Sequence, residues 1–291
     1  MTQAGPLPVT QWIIKDAGDK NIEKSLAREF GVSRIISQLI LNRHVQSLEQ
    51  AQNYLYPSLN NLHSPFLMKD MKRGVARLVR AIANGEKIVI YGDYDADGIT
   101  SVVILYKFLK ELNAHVSYFI PDRVEEGYGL KNQIIDRFKT ENISLIITVD
   151  CGVSDIEQIT YARSLGIDTI VLDHHEISDS LPPAAACINP NRSDCPFPFK
   201  HLAGVGIAFN FLIALRGTLR KDGFWKDGKY PNLKEYLDVV ALGTIGDIAP
   251  LVGENRIFTK IGLELITEGK RPGIRALKEA SGVDGQLIDS F

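Results

Sequence analysis

From residue 87 the chain settles into a repeating pattern. A short apolar run is followed by a polar cluster, then by a longer stretch with apolar residues every three or four positions. The runs at 87–91 (KIVIY), 116–120, 144–149 (SLIITV) and 169–172 are short and rich in β-branched residues, so they read as strands. Between them, 99–112, 130–138 and 156–165 read as helices; in the first, Val102, Val103, Tyr106, Leu109 and Leu112 form the apolar stripe. Strands and helices alternating at this length predict an α/β fold, a mostly parallel sheet flanked by helices on both faces. A Pro-rich loop at 181–199 follows. Two apolar helices are then expected near 205–215 and 233–242, separated by a Gly-, Lys- and Asp-rich insert at 220–231.

The N-terminal part has a different pattern. Helical spacing at 22–30 and 33–41 is broken by Gly31, and Ser47-Leu48-Glu49-Gln50 resembles a capping box opening another short helix. Pro57 and Pro65 punctuate a loop. A helix over 70–84 follows, with Met71, Val75, Leu78, Val79 and Ile82 on its apolar face and Asn84-Gly85 as its stop. Arg73, Arg77 and Arg80 fall on another face, either a solvated one or one that meets a phosphate backbone. The expected division is a small helical N-terminal region at 1–68, a catalytic α/β domain at 69–270, and a segment at 271–291 that starts the connection to a second domain.

Composition narrows the class. With 291 residues, 45% of them hydrophobic, the chain can bury a sizeable core. A net charge of −2 argues against a strongly basic nucleic-acid-coating protein, but it allows an enzyme whose acidic site offsets a basic groove. Cys151, Cys187 and Cys195 form no C-x-x-C pair, which disfavours a disulfide framework or a structural zinc site. No apolar run is long enough for a transmembrane helix, and the first residues lack the regions of a signal peptide. A cytoplasmic location, with no membrane partner, is the default expectation.

The chemistry gathers at strand ends. In open α/β sheets, ligands sit beyond the carboxyl ends of the strands. The first strand runs into Asp93, Asp95 and Asp97, the third into Asp150, and the fourth into Asp173-His174-His175. Up to five carboxylates and two imidazoles therefore share one edge. Crowded carboxylates repel one another, and divalent cations are the simplest way to hold them together. The spacing Asp93-x-Asp95-x-Asp97-Gly98 matches half of a calcium-binding EF-hand loop. However, position 12 of that loop is Ile104 rather than Glu, and a strand precedes it. One of these Asp residues is expected to cap the helix that follows. Gly204-Val205-Gly206 lacks the third Gly of a dinucleotide fingerprint and comes after the sheet, so close helix packing is its expected role. No Walker A sequence is present. Asp247, in a Gly-flanked apolar segment, is either a turn residue or a further metal ligand.

Together these residues resemble the DHH phosphoesterase superfamily, and within it the branch of bacterial single-strand-specific exonucleases. The resemblance rests on YGDYDADGIT at 91–100, EGYGL at 126–130, TVDCGV at 148–153, VLDHH at 171–175, LAGVG at 202–206 and LGTIGDIAP at 242–250, and it starts as early as Trp12. It implies two divalent metal ions, Mn²⁺ or Mg²⁺, and hydrolysis of single-stranded DNA from the 5′ end in repair and recombination. The metal ligands it implies are Asp95, Asp97, Asp150, His174 and Asp247, with Asp150 bridging the ions. His175 is implied to contact the scissile phosphate or assist the metal. Asp93 and Asp173 are ligands or residues that orient the His rings. Arg123 and Lys131 are the candidates for contact with the DNA backbone, and other repair or replication proteins are possible partners. The resemblance also implies a second domain after Phe291, and hence a cleft with one wall and low activity in this chain. Two alternatives stand beside it. One is a related phosphoesterase for short oligonucleotides or cyclic dinucleotides. The other is a non-catalytic replication scaffold, which would be expected to have lost metal ligands that are all filled here.

Overall fold

The computed structural model describes residues 18–43, 45–177 and 180–289; Trp12 lies outside them. The chain divides into two compact units, one ending at Pro57 and one starting at Ser58.

The first unit holds α1 (Lys20–Phe30), α2 (Arg34–Leu41) and α3 (Leu48–Leu55). Gly31 ends α1 in the left-handed region, and the Ser33 hydroxyl caps α2 by accepting from the Ile36 N–H. Ser47 caps α3 in the same way. The Gln50 side chain completes that corner by accepting from the N–H of Gln46 rather than of Ser47. Leu26, Ile40, Val45 and Ala51 form the small core of this unit.

The second unit is built from α4 (Met71–Ala83), β1 (Lys87–Gly92), α5 (Ala96–Glu111), β2 (Val116–Phe119), α6 (Asn132–Thr140), β3 (Ile143–Val149), α7 (Ile156–Ser164), β4 (Asp168–Leu172), β5 (Ala186–Ile188), α8 (Gly204–Lys221), α9 (Leu237–Gly246), α10 (Gly253–Glu268) and α11 (Pro272–Ala280). All strand pairings are parallel, in the order β2-β1-β3-β4-β5. Side-chain alternation sorts the apolar runs to two faces. Ile88, Ile90, Leu145, Ile147, Ile170 and Leu172 pack with Leu78 of α4, Phe108 of α5 and Phe211 of α8. Val89, Tyr91, Ile146 and Val171 pack with Phe138 of α6 and Ile159 of α7.

Several details depart from the pattern reading. β5 lies inside the expected loop at 181–199; its three residues are too few to show alternation, and pairing with β4 makes it a strand. The helix expected at 233–242 is a 3₁₀ turn, Leu233–Tyr236, followed by α9. Residues 58–67 pack with the larger unit, because Leu59 and Leu62 rest against its main core. Ile274 of α11 packs with Ala241 and Ile266.

Of the arginines of α4, Arg77 ties the frame together, while Arg73 and Arg80 stay largely exposed. Arg77 is buried and bonds Asp168 at 2.5 Å and Glu86 at 2.6 Å, and Arg73 pairs with Asp70. Asp168 starts β4, so Arg77 sits at the sheet end opposite the His pair. It is neither a solvated cation nor a phosphate contact near the Asp-His-His stretch. All three cysteines are free and buried. Among the described residues, no helix is long and apolar enough to cross a membrane.

Candidate metal centre

The strand order 2-1-3-4-5 reverses between β1 and β3, and such a reversal opens a crevice at the carboxyl ends of those strands. The loops after β1, β3 and β4 meet there, joined by the end of α9. Asp95 caps α5, its Oδ1 accepting from the Gly98 N–H at 2.9 Å, and Asp97 lies buried in the first turn. Asp150 follows β3 with φ of 58°, a left-handed conformation that turns the chain out of the sheet. Asp247 is the C-cap of α9.

Among the described residues three groups of ligand atoms result, each within 4.8 Å: Asp93, Asp95 and Asp150; Asp150, His174 and His175; and Asp97, His174 and Asp247. Asp150 belongs to the first two groups and His174 to the last two, so the groups form one continuous row. His174 Nε2 lies 3.1 Å from Asp150 Oδ1 and 3.9 Å from Asp97 Oδ2, and its Nδ1 lies 4.0 Å from Asp247 Oδ2.

Asp97 is held from across the chain. Its Oδ2 accepts from the Gly204 N–H at 2.6 Å and its Oδ1 from the Val205 N–H at 2.7 Å, both at the start of α8. The unpaired amides and the dipole of a helix N-terminus favour an anion there. Each oxygen keeps another lone pair for a cation. A β-carbon on Gly204 would lie 3.0 Å from both Asp150 and Asp97, a tight contact that would press on both carboxylates, so glycine suits this approach. Close packing therefore explains only part of the 204–206 motif; its amides build the site.

Asp173 is fully buried and absent from all three groups. Its Oδ1 accepts from the N–H groups of His174 and His175 and from the His175 ring at Nδ1, 2.8 Å away; its Oδ2 accepts from the Val153 N–H. A carboxylate can only accept, so Nδ1 of His175 carries the proton and Nε2 remains available. Burial opposes the Asp173 charge, but the bond from His175 and the surrounding N–H groups outweigh it and hold this carboxyl below its usual range. The same bond raises the His175 imidazole.

The other carboxyls shift upward. Burial, then the charges of Asp97 and Asp95, push Asp150 far above the usual carboxylate range. Burial raises Asp97 too, against the pull of the Val205 amide and His174, and burial also raises Asp93 and Asp247. Asp150 Oδ1 is buried and accepts no hydrogen bond, the nearby His174 ring notwithstanding. An orphaned buried oxygen among crowded carboxylates, with an imidazole alongside, fits divalent cations with mixed oxygen and nitrogen ligands.

Arg123 is exposed, its guanidinium over the Tyr94 ring at 5.5 Å. The Lys131 ammonium donates to the Tyr128 carbonyl. Three residues at the site escaped the sequence reading. The Tyr128 hydroxyl donates to the Asp150 carbonyl at 3.4 Å and lies 3.5 Å from His175 Nδ1. Asn189 and Asn191 donate to the carbonyls of His175 and His174 and fasten the His pair to the end of β5. Tyr128 stood inside a quoted motif and carried that much signal; the two Asn residues look like ordinary loop polarity next to Pro190.

Comparison with known proteins agrees with this geometry. Residues 87–244 match the DHH family, N-terminal domain. The chain is 40% identical over 266 residues to the single-stranded-DNA-specific exonuclease RecJ of Bacillus subtilis, covering 91% of this chain and 32% of that protein. It is 41% identical over 258 residues to RecJ of Escherichia coli, covering 87% of this chain and 44% of that protein. The crystal structure of Thermus thermophilus RecJ in complex with Mn²⁺ superposes with a TM-score of 0.75 at 30% identity, over 93% of this chain and 37% of that one. The chain thus spans between about a third and somewhat under half of the length of these relatives.

Proposed function

The chain belongs to the DHH family, and from that premise we propose that it carries the metal-dependent phosphodiesterase centre of an exonuclease acting on single-stranded DNA from the 5′ end. The observation that supports this most is the continuous row of ligand groups sharing Asp150 and His174. Such sharing suits two adjacent cations better than one. Asp95, Asp97, Asp150, His174 and Asp247 would hold them, as Mn²⁺ or Mg²⁺, with Asp93 beside Asp95. When bound, a pair of divalent cations supplies the charge that activates a water and offsets negative charge building on a phosphate.

The chain's own residues prepare the rest. Asp173 fixes the His175 ring so that Nε2 faces the phosphate side, as hydrogen-bonded carboxylates do for catalytic imidazoles. The start of α8 holds Asp97 in place, and its two amides oppose the effect of burial on that carboxyl before any cation arrives. Tyr128 pins the loop that carries Asp150. Arg123, exposed next to Tyr94, suits contact with a neighbouring phosphodiester, and Lys131 supports the same loop from behind. RecJ homologues named as single-stranded-DNA-specific support the substrate assignment.

The test pairs a small chromogenic phosphodiester with a 5′-labelled single strand, each assayed with Mn²⁺. Asp97→Ala and His174→Ala should lower cleavage of both by more than about 100-fold while circular dichroism stays unchanged. Full turnover in either folded variant, or no metal-dependent cleavage by the unmutated chain, would overturn the proposal.

A further inference from the structure

Asp247 is followed by a residue that neither the fold nor the solvent favours. α9 ends in a Schellman motif: the Ala249 N–H donates to the Thr244 carbonyl and the Ile248 N–H to the Ile245 carbonyl. Ile248 fills the left-handed position of that motif, with φ of 57°. Glycine is the usual occupant, and a β-branched side chain is among the least suited. The Ile248 side chain is also 88% exposed, so burial returns nothing for the strain. A strained, water-facing apolar residue next to a ligand cluster indicates a contact made with something that arrives at the cluster.

The surroundings define what arrives. Asp247 Oδ2 is 4.0 Å from His174 Nδ1, and the next Cα along the chain is only about 3.8 Å away. Whatever touches Ile248 therefore borders the proposed phosphate site. The first turn of α5 adjoins the same corner, since a β-carbon on Gly246 would come within 2.7 Å of that of Ala96. Along α5, Ile99 and Val103 expose further apolar surface. A nucleotide presents a charged phosphate and, a few ångströms away, an uncharged heterocycle face, which matches an ion cluster rimmed by aliphatic side chains. Apolar contact with a base face also tolerates any base sequence.

Resting on the function proposed above, we infer that Ile248 is a substrate-contact residue that packs against the nucleobase of the nucleotide held at the metal centre. The strained turn aims it there. The same turn that makes Asp247 face His174 makes Ile248 face outward.

The experiment compares Ile248→Asn, Ile248→Leu and the unmutated chain, all with Mn²⁺. Asn adopts the left-handed conformation more readily and has as many side-chain heavy atoms, although it is smaller, so the melting temperature of Ile248→Asn should be equal or higher. For a short 5′-labelled single strand, Ile248→Asn should raise KM by roughly tenfold with little change in kcat, and Ile248→Leu should restore it. The same strand with an abasic 5′ residue should be a poorer substrate for the unmutated chain by a like factor, and no poorer for Ile248→Asn. Equal KM values for Ile248→Asn and the unmutated chain on the intact strand would overturn the role of Ile248 alone. Failure of the unmutated chain to bind or cleave the strand would overturn the nuclease reading and this inference with it.

Discussion

Asp150 shows how a single residue can work against its own fold. Its carboxylate is 2% exposed, stands in a left-handed turn, leaves Oδ1 without a hydrogen bond, and faces Asp97 and Asp95. In the metal-free chain burial and the neighbouring carboxylates oppose its ionisation, which costs stability, because buried like charges repel and lack water. Asn has the same shape and is the non-glycine residue most at ease in that turn. Asp150→Asn is therefore expected to stabilise the protein in EDTA by on the order of 1 kcal/mol in urea denaturation, while cleavage with Mn²⁺ falls by more than about 100-fold. A destabilised variant would show that the carboxylate is satisfied within the fold. Asp173, equally buried, is the opposite case: its bonds from N–H groups and from His175 keep it charged without a cation.

At the scale of elements, an ionic clasp reinforces the edge of the sheet beside its pairing with β4. β5 has only three residues, and Asp70 at the head of α4 ties it down. The Asp70 carboxylate accepts from the Cys187 N–H of β5 and from Arg192 at 2.8 Å, and Arg192 also donates to the Cys187 carbonyl. The strand leads directly to Asn189 and Asn191, which hold the His pair. Burial opposes the Asp70 charge, but Arg192 and the Cys187 amide prevail and hold its carboxyl below the usual range. A lowered folded value means that the clasp stabilises fully above the unfolded value near about 3.9. That stability is lost as pH falls through the folded value. Asp70→Asn should cost about 1–3 kcal/mol at neutral pH. Urea denaturation repeated towards about pH 2 should show the gap between variant and unmutated protein closing. A gap that stays constant would mean that packing, not charge, joins α4 to β5.

Across the whole molecule, the site is a junction of distant segments. Residues near 95, 150, 174, 204 and 247 converge, so holding ions there should tighten the larger unit as one body. Mn²⁺ at about 100 times its dissociation constant should stabilise by about 2.7 kcal/mol, raising the melting temperature by roughly 5–10 °C. EDTA should reverse the rise, and His174→Ala should abolish it. Scanning calorimetry checks this without any assay of activity; an equal rise in the His174→Ala protein would place the ions elsewhere.

The parts that were legible in the sequence are those governed by short-range rules. Short β-branched runs mark β1, β3 and β4, and the polar residues just past them fall at the carboxyl edge because strands are short and parallel. That suffices to name Asp93, Asp95, Asp97, Asp150, His174 and His175 as neighbours. Local pattern could not reveal β5, whose pairing is its only evidence, or the buried pairing of Arg77 with Asp168, 91 positions away. Nor could it separate two Asp residues of the same appearance. Asp97 shares its oxygens between α8 amides and the ligand row because residues 107 positions later fold against it, whereas Asp173 spends its oxygens on Val153 and its own His neighbours. The chain's alphabet and spacing therefore determine which groups can do the chemistry. Only the tertiary structure, by deciding which lone pairs are already taken, separates the carboxylates that keep lone pairs open from the one committed to orienting a ring.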